Sequence, residues 1–208
     1  MPAPTPDTIA GLVLAGGRSR RMGRDKTSMT LAGQPMIAHV IRRLGPQVAS
    51  LAVNAVRGFV TPDGLPLVED RLEDHQGPLA GIAAGLRHFS SAGIYTHMAS
   101  VAADGPFMPR DLVARLASAC ADDATIALAE SSGHLHPVYA LWPLDVLDDL
   151  EAWLEQPDNR RVKAFVARHP HVTVAFEAED TPAGPRDPFF NVNTPEDFGR
   201  AQTYLEQP

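Results

Sequence analysis

The chain has 208 residues, with 18 Lys and Arg against 25 Asp and Glu and a formal net charge of -7 at pH 7. That length suits one sizeable core, residues 1–208 as a single domain, and 44% apolar with 21% charged residues excludes wholesale disorder. The acidic balance excludes a broad face for a nucleic acid polymer, the single Cys120 excludes an intramolecular disulfide, and no run of roughly eighteen apolar residues offers a membrane span.

Residues 1–7 carry three prolines and no basic region, so they read as a disordered tail rather than a signal peptide, and a reducing cytoplasm is the expected compartment. Residues 9–15 form an apolar run ended by Gly16 and Gly17, which predicts a buried strand. Apolar positions at helical spacing predict a helix over 35–44, closed by Gly45-Pro46. Strands follow at 48–53 and 65–68, an Ala-rich helix at 77–89, a strand at 95–103 and a helix over 109–119. Further strands are expected at 125–129 and 138–142, then helices at 144–154 and 161–168, and a strand at 172–176. Residues 177–188 read as a long polar loop, a candidate lid. The last helix spans 195–205, with Thr194 as N-cap and Pro195 in its first position. Met36, Phe165 and the Trp153 stripe are expected core. This alternation predicts an α/β fold, a three-layer Rossmann-like sandwich with a mostly parallel central sheet.

Ligands of open parallel sheets sit beyond the carboxyl ends of strands. Polar residues fall at four such ends: the loop from Gly16 to Lys26, Asn54, Glu69-Asp70 and Asp104. In the first, Arg18, Arg20, Arg21, Arg24 and Lys26 accompany Gly16, Gly17 and Gly23. A cationic loop in an acidic protein suits a small, highly charged anion, although a charge run by itself is as readily a solvated surface. Its spacing fits neither common phosphate loop: Gly16 and Gly17 are adjacent, unlike G-x-G-x-x-G, and Arg24-Asp25 separate Gly23 from Lys26, unlike a P-loop. What remains is glycine backbone that admits close approach, with guanidinium and ammonium groups to neutralise a pyrophosphate leaving group.

The stretch L-A-G-G-x-S-x-R-M-G-x-D-K, from Leu14 to Lys26, resembles the molybdenum cofactor guanylyltransferases, within the larger group of nucleotidyltransferases. Val53-Asn54-Ala55, Val68-Glu69-Asp70, Gly77-Pro78-Leu79-Ala80-Gly81 and Asn191-Val192-Asn193-Thr194-Pro195-Glu196-Asp197 extend the likeness over almost the whole chain. The resemblance implies the nucleotidyltransferase fold and transfer of GMP from GTP to the phosphate of molybdopterin, with release of pyrophosphate and a need for Mg2+. It also implies molybdoenzyme chaperones or other cofactor-synthesis proteins as partners.

Further implications attach to single residues. Leu14, Ala15, Gly16 and Gly17 would hold the nucleotide through backbone groups, with Lys26 on its phosphates and Arg18 and Arg21 assisting. Lys26, Asp104 and Arg21 form the implied catalytic set. Asp104 opens Asp104-Gly105-Pro106-Phe107, matching the family's D-x-P-F, and one carboxylate at a strand end suits Mg2+; otherwise it is a turn Asp. Asn54 and Asp70 match nucleotide-contacting positions. Gly77 and Gly81 at a helix N-terminus either receive phosphate or allow close packing. Asn191 and Asn193 would face the pterin or the metal. Arg160, Arg161 and Lys163 fit either a pterin phosphate or a solvated helix face, and His136-Pro137 matches a family segment without a derivable role. A cytidylyltransferase on the same pterin would usually carry L-A-A-G and lack G-P-L-A-G. A sugar-phosphate nucleotidyltransferase would commonly be longer, and a nucleotide carrier has no need of Asp104.

Overall fold

The computed structural model describes residues 4–16, 30–70 and 77–206. Along the chain come β1 (Ile9–Leu14), a hairpin of β2 (Thr30–Leu31) and β3 (Gln34–Pro35), α1 (Met36–Leu44), β4 (Ser50–Asn54), β5 (Leu67–Val68) and α2 (Pro78–Ser90). There follow β6 (His97–Ala102), α3 (Leu112–Ala119), β7 (Ile126–Ser131), β8 (His134–Pro143), α4 (Leu147–Leu154), α5 (Val162–Val166) and β9 (His171–Ala175). A second hairpin, β10 (Glu179–Thr181) and β11 (Gly184–Arg186), and α6 (Pro195–Glu206) complete the order.

Seven of these strands form one sheet in the order β5-β4-β1-β6-β8-β7-β9. Only β8 runs antiparallel to its neighbours; every other pairing in the sheet is parallel. The expected mostly parallel three-layer architecture is therefore the one observed. Strand alternation sends Ala10 and Leu12 to one face, where they pack with α2, α4 and α5. Ile9 and Val13 point to the other face and pack with α1 and α3. Each large side chain buried this way, such as Phe89 or Leu12, contributes about 1.5–3 kcal/mol. A third cluster of Leu31, Met36, Phe107, Val192, Ala201 and Tyr204 joins the first hairpin, α6 and the segment after β6. Met36 and Phe165 are buried as expected, and Trp153 packs against the core while partly exposed.

Several boundaries differ from expectation. The polar stretch 177–188 is not one long loop: residues 179–186 pair as a hairpin, with Thr181 Oγ1 donating to Gly184 O at 2.7 Å. Arg186 anchors it, buried against the rings of Phe107 and Tyr204 and paired with Glu179. That cation–π setting compensates the charge that makes the stretch look like solvated loop. The hairpin β2–β3 has no signal of its own beyond Gly33, because Ala32 also sits at positive φ. Of the expected tail 1–7, residues 4–7 are described, and Pro6–Thr8 form a 3-10 turn. Thr5 N donates to Thr8 Oγ1, and Thr8 O accepts from Thr96 N at 2.9 Å. Strands β7 and β8 run past their expected ends through the positive-φ turn at Ser132-Gly133. The last helix starts as expected: Thr194 Oγ1 accepts from Asp197 N at 3.1 Å, and Asp197 Oδ2 accepts from Asn193 N and Thr194 N at 3.0 and 2.9 Å.

Cys120 ends α3 half-buried, where burial and then Asp122 and Asp123 push its thiol up to about 11. At pH 8 about one molecule in a thousand would carry the reactive thiolate. Modification by a thiol reagent under native conditions is therefore expected to be far slower than in denaturant, and equal rates would contradict this.

Candidate active site

Because β1, β4, β5 and β6 are parallel and in register, their carboxyl ends line one edge of the sheet. Leu14 lies opposite both Asn54 and Ala102, and Asn54 opposite Val68. Backbone bonds continue the row past the strands: Ala15 N donates to Asn54 O at 2.8 Å, and Ala103 N to Leu14 O at 3.0 Å. The start of the basic loop, Asn54, Asp70 and Asp104 thus emerge side by side. Leu14, Ala15 and Gly16 are described; Gly17, Arg18, Arg21 and Lys26 lie outside the described residues.

On one side of this row Asn54 is the pivot. Its side chain is 2% exposed, and its Nδ2 donates to Val68 O at 3.0 Å and Asp70 Oδ1 at 2.7 Å. The amide oxygen points at two glycines. A Cβ at Gly16 would stand 3.4 Å from Asn54 Oδ1, while one at Gly81 would press inside van der Waals distance of it and lie 2.8 Å from Leu14 Cδ2. Gly81 therefore lets α2 lie against the ends of β1 and β4. Gly77, at φ 82°, turns the chain into that helix just before Pro78, a conformation that favours glycine. Gly81→Ala is expected to destabilise the fold by about 1–3 kcal/mol through overpacking. Thermal melts read the effect, and an unperturbed variant would contradict the packing argument.

On the other side, Asp104 begins the turn after β6. Its carbonyl accepts from Val192 N at 2.9 Å, which clamps the Asp104-Gly105 turn to the segment carrying Asn191 and Asn193. Tyr139, 1% exposed on β8, donates its hydroxyl to Asn191 Oδ1 at 3.0 Å. Burial raises the Tyr139 phenol well above its ordinary value, with the Asp104 and Asp187 carboxylates adding to the effect, so it remains a donor at neutral pH. Gly105 fits beneath this pair because it lacks a Cβ. Asn193 is exposed, and its backbone serves the α6 cap.

The second basic cluster is divided. The Arg160 guanidinium donates to the carbonyls of Leu154 and Gln156, both at 3.0 Å, and of Asn159 at 3.2 Å, closing the end of α4. Arg161 and Lys163 are exposed around the start of α5. His136 Nε2 lies 2.7 Å from Ser131 Oγ, and its ring packs 4.7 Å from Phe189. Tyr139, Gly105, Ser131 and Asp187 escape a reading of the sequence. Only Gly105 has a local cue, its place between Asp104 and Pro106.

A row of polar loops, one half around Asn54 and the other around Asp104, lies at the carboxyl edge of a parallel sheet, where open α/β folds take their ligands, and the fold is that of an α/β nucleotidyltransferase. The chain belongs to the family of the MobA-like NTP transferase domain, whose model matches residues 11–172. A molybdenum cofactor guanylyltransferase of Rhizobium leguminosarum bv. trifolii is 46% identical over 198 residues, covering 95% of this chain and 93% of that protein. One from a Bradyrhizobium species is 47% identical over 207 residues, covering 97% and 95%. The crystal structure of molybdopterin-guanine dinucleotide biosynthesis protein A from Archaeoglobus fulgidus superposes with a TM-score of 0.72 at 23% identity, covering 95% of this chain and 98% of that one. No helix of the described residues is long and apolar enough to cross a membrane.

Proposed function

We propose that the chain is a molybdenum cofactor guanylyltransferase, transferring GMP from GTP to the terminal phosphate of molybdopterin in the cytoplasm. The observation that carries this reading is identity of 46–47% over nearly the full length of proteins bearing that name. An oxygen of the acceptor phosphate attacks the α-phosphorus of GTP. The new P–O bond forms as the bond to pyrophosphate breaks, and pyrophosphate leaves. No covalent enzyme intermediate is needed, so positioning and charge neutralisation are the protein's whole task.

In this reading the backbone of Leu14 to Gly17 cradles the nucleotide, with Lys26, Arg18 and Arg21 on its phosphates. Asn54 and Asp70, already bonded to one another, form the wall for the nucleoside, with Gly77 and Gly81 bringing the α2 N-terminus beside it. Enzymes of this family generally need a divalent metal, and Mg2+ is the ion we assign. The donor set fits a hard ion: the Asp104 carboxylate and the Asn191 amide oxygen are oxygen donors on clamped segments. When bound there, Mg2+ would neutralise charge on the α-phosphate and the departing pyrophosphate. Asn191 and Asn193 are assigned to the pterin or the metal. Pyrophosphate release from GTP, Mg2+ and molybdopterin tests the proposal. Release with CTP in place of GTP would overturn the guanylyl assignment, and no release with any nucleotide would favour a carrier.

A further inference from the structure

Residues 187–193 return from the β10–β11 hairpin to the edge of the sheet, and their first residue is held in an unusual way. Ser131, 2% exposed at the end of β7, places its Oγ 2.9 and 2.8 Å from the two carboxylate oxygens of Asp187 and 2.7 Å from His136 Nε2. A hydroxyl has one proton. The ionised Asp187 can only accept, so Ser131 donates to it, and His136 must then donate Nε2–H to the Ser131 oxygen. Burial lowers the His136 pKa despite the opposing Asp187 charge, which keeps the ring neutral near pH 7 and leaves Nδ1 as its acceptor. Asp187 Oδ1 also accepts from Phe189 N at 2.7 Å, shaping the first turn of the segment. Phe189 then packs on His136, Tyr139 and Phe176, with ring centroids 4.7, 4.8 and 5.3 Å apart. Two and three residues on come Asn191, bonded to Tyr139, and Val192, bonded to Asp104. Hydrogen bonds from His136 to Phe189 N, the Phe189–Tyr139 ring contact and the Tyr139–Asn191 bond thus link His136 to the Asp104–Asn191 corner.

We propose that Ser131, His136 and Asp187 are positioning residues, a clasp that fixes residues 187–193 so that Asn191 is presented beside Asp104 and the corner takes a divalent cation tightly. The clasp rests on the metal-binding reading of that corner given above. None of the three need touch substrate. Outer-shell partners of this kind typically change metal affinity by about 10–100-fold when removed.

The test is Mn2+ binding to the protein with GTP, followed by the electron paramagnetic resonance signal of free Mn2+ and corrected for a GTP-only control. Ser131→Ala removes the bridging hydroxyl. His136→Phe keeps a ring against Phe189 and removes the donor. Each is expected to raise the Mn2+ dissociation constant roughly tenfold, and Ser131→Thr, which retains the hydroxyl, should restore it toward wild type. If one variant fails to fold by circular dichroism, the other decides. Wild-type Mn2+ affinity in a folded Ser131→Ala or His136→Phe, with Asp104→Asn weakened, would overturn the clasp alone. Unchanged affinity in Asp104→Asn would overturn the reading of the corner and the clasp with it.

Discussion

Asp104→Ala is expected to lower the rate of pyrophosphate release from GTP and molybdopterin by at least about a hundredfold, the scale on which one preorganised electrostatic contact to a transition state is measured. The carboxylate sits on the turn after β6, half-buried at the carboxyl edge of the sheet. The bond that holds this turn to the Asn191 segment uses the Asp104 carbonyl, which alanine keeps. Turnover should collapse, and the melting temperature is read beside it. Measuring both on one preparation separates a lost metal ligand from a lost fold. Undiminished Mg2+-dependent activity would remove Asp104 from the proposed mechanism.

Gly105→Ala is expected to harm both stability and activity. A Cβ there would overlap the Tyr139 hydroxyl, lying 3.0 Å from Tyr139 Cζ and 3.1 Å from Asn191 Oδ1. Tyr139 cannot simply move aside, because its ring is 1% exposed and packs 4.8 Å from Phe189. Overpacking costs about 1–3 kcal/mol, and a displaced hydroxyl leaves Asn191 without this bond, for about 1–3 kcal/mol more. Tyr139→Phe should cost less by itself, since only the bond is lost. Combined with Gly105→Ala it should recover part of the stability by removing the overlapping oxygen, a coupling that denaturant melts of the two single variants and the double variant can read. Additive losses would show that the backbone at Gly105, rather than the Tyr139 hydroxyl, bears the strain.

The strand ends around Asn54 are legible in the order of residues alone, but a role for Asn54 and Asp70 comes only from the family resemblance, since a loop Asn or Asp by itself reads as turn chemistry. An apolar run followed by a polar residue marks the carboxyl edge of a parallel sheet, and Asn54, Asp70 and Asp104 each stand in that position. Gly81 is legible as a glycine in a helix but not as to its purpose, since phosphate reception and close packing have the same local signature. The overlap its Cβ would make with Leu14 and Asn54 establishes the packing role. The polar stretch 177–188 reads wrongly as one loop because charge and proline resemble solvated chain, whereas Arg186 is buried against aromatic rings that come from Phe107 and Tyr204.

The sequence by itself determined the alternation of strands and helices, the polar strand ends and the capped start of α6, because periodicity, glycine and capping chemistry act between residues near one another in the chain. Only the tertiary structure decided that Tyr139 serves Asn191 across 52 positions and that Ser131 serves Asp187 across 56. Such pairs have no local pattern: a tyrosine or serine in a strand looks the same whether its hydroxyl meets water or a distant side chain. Folding removes the water, and the buried hydroxyl must then find its partner.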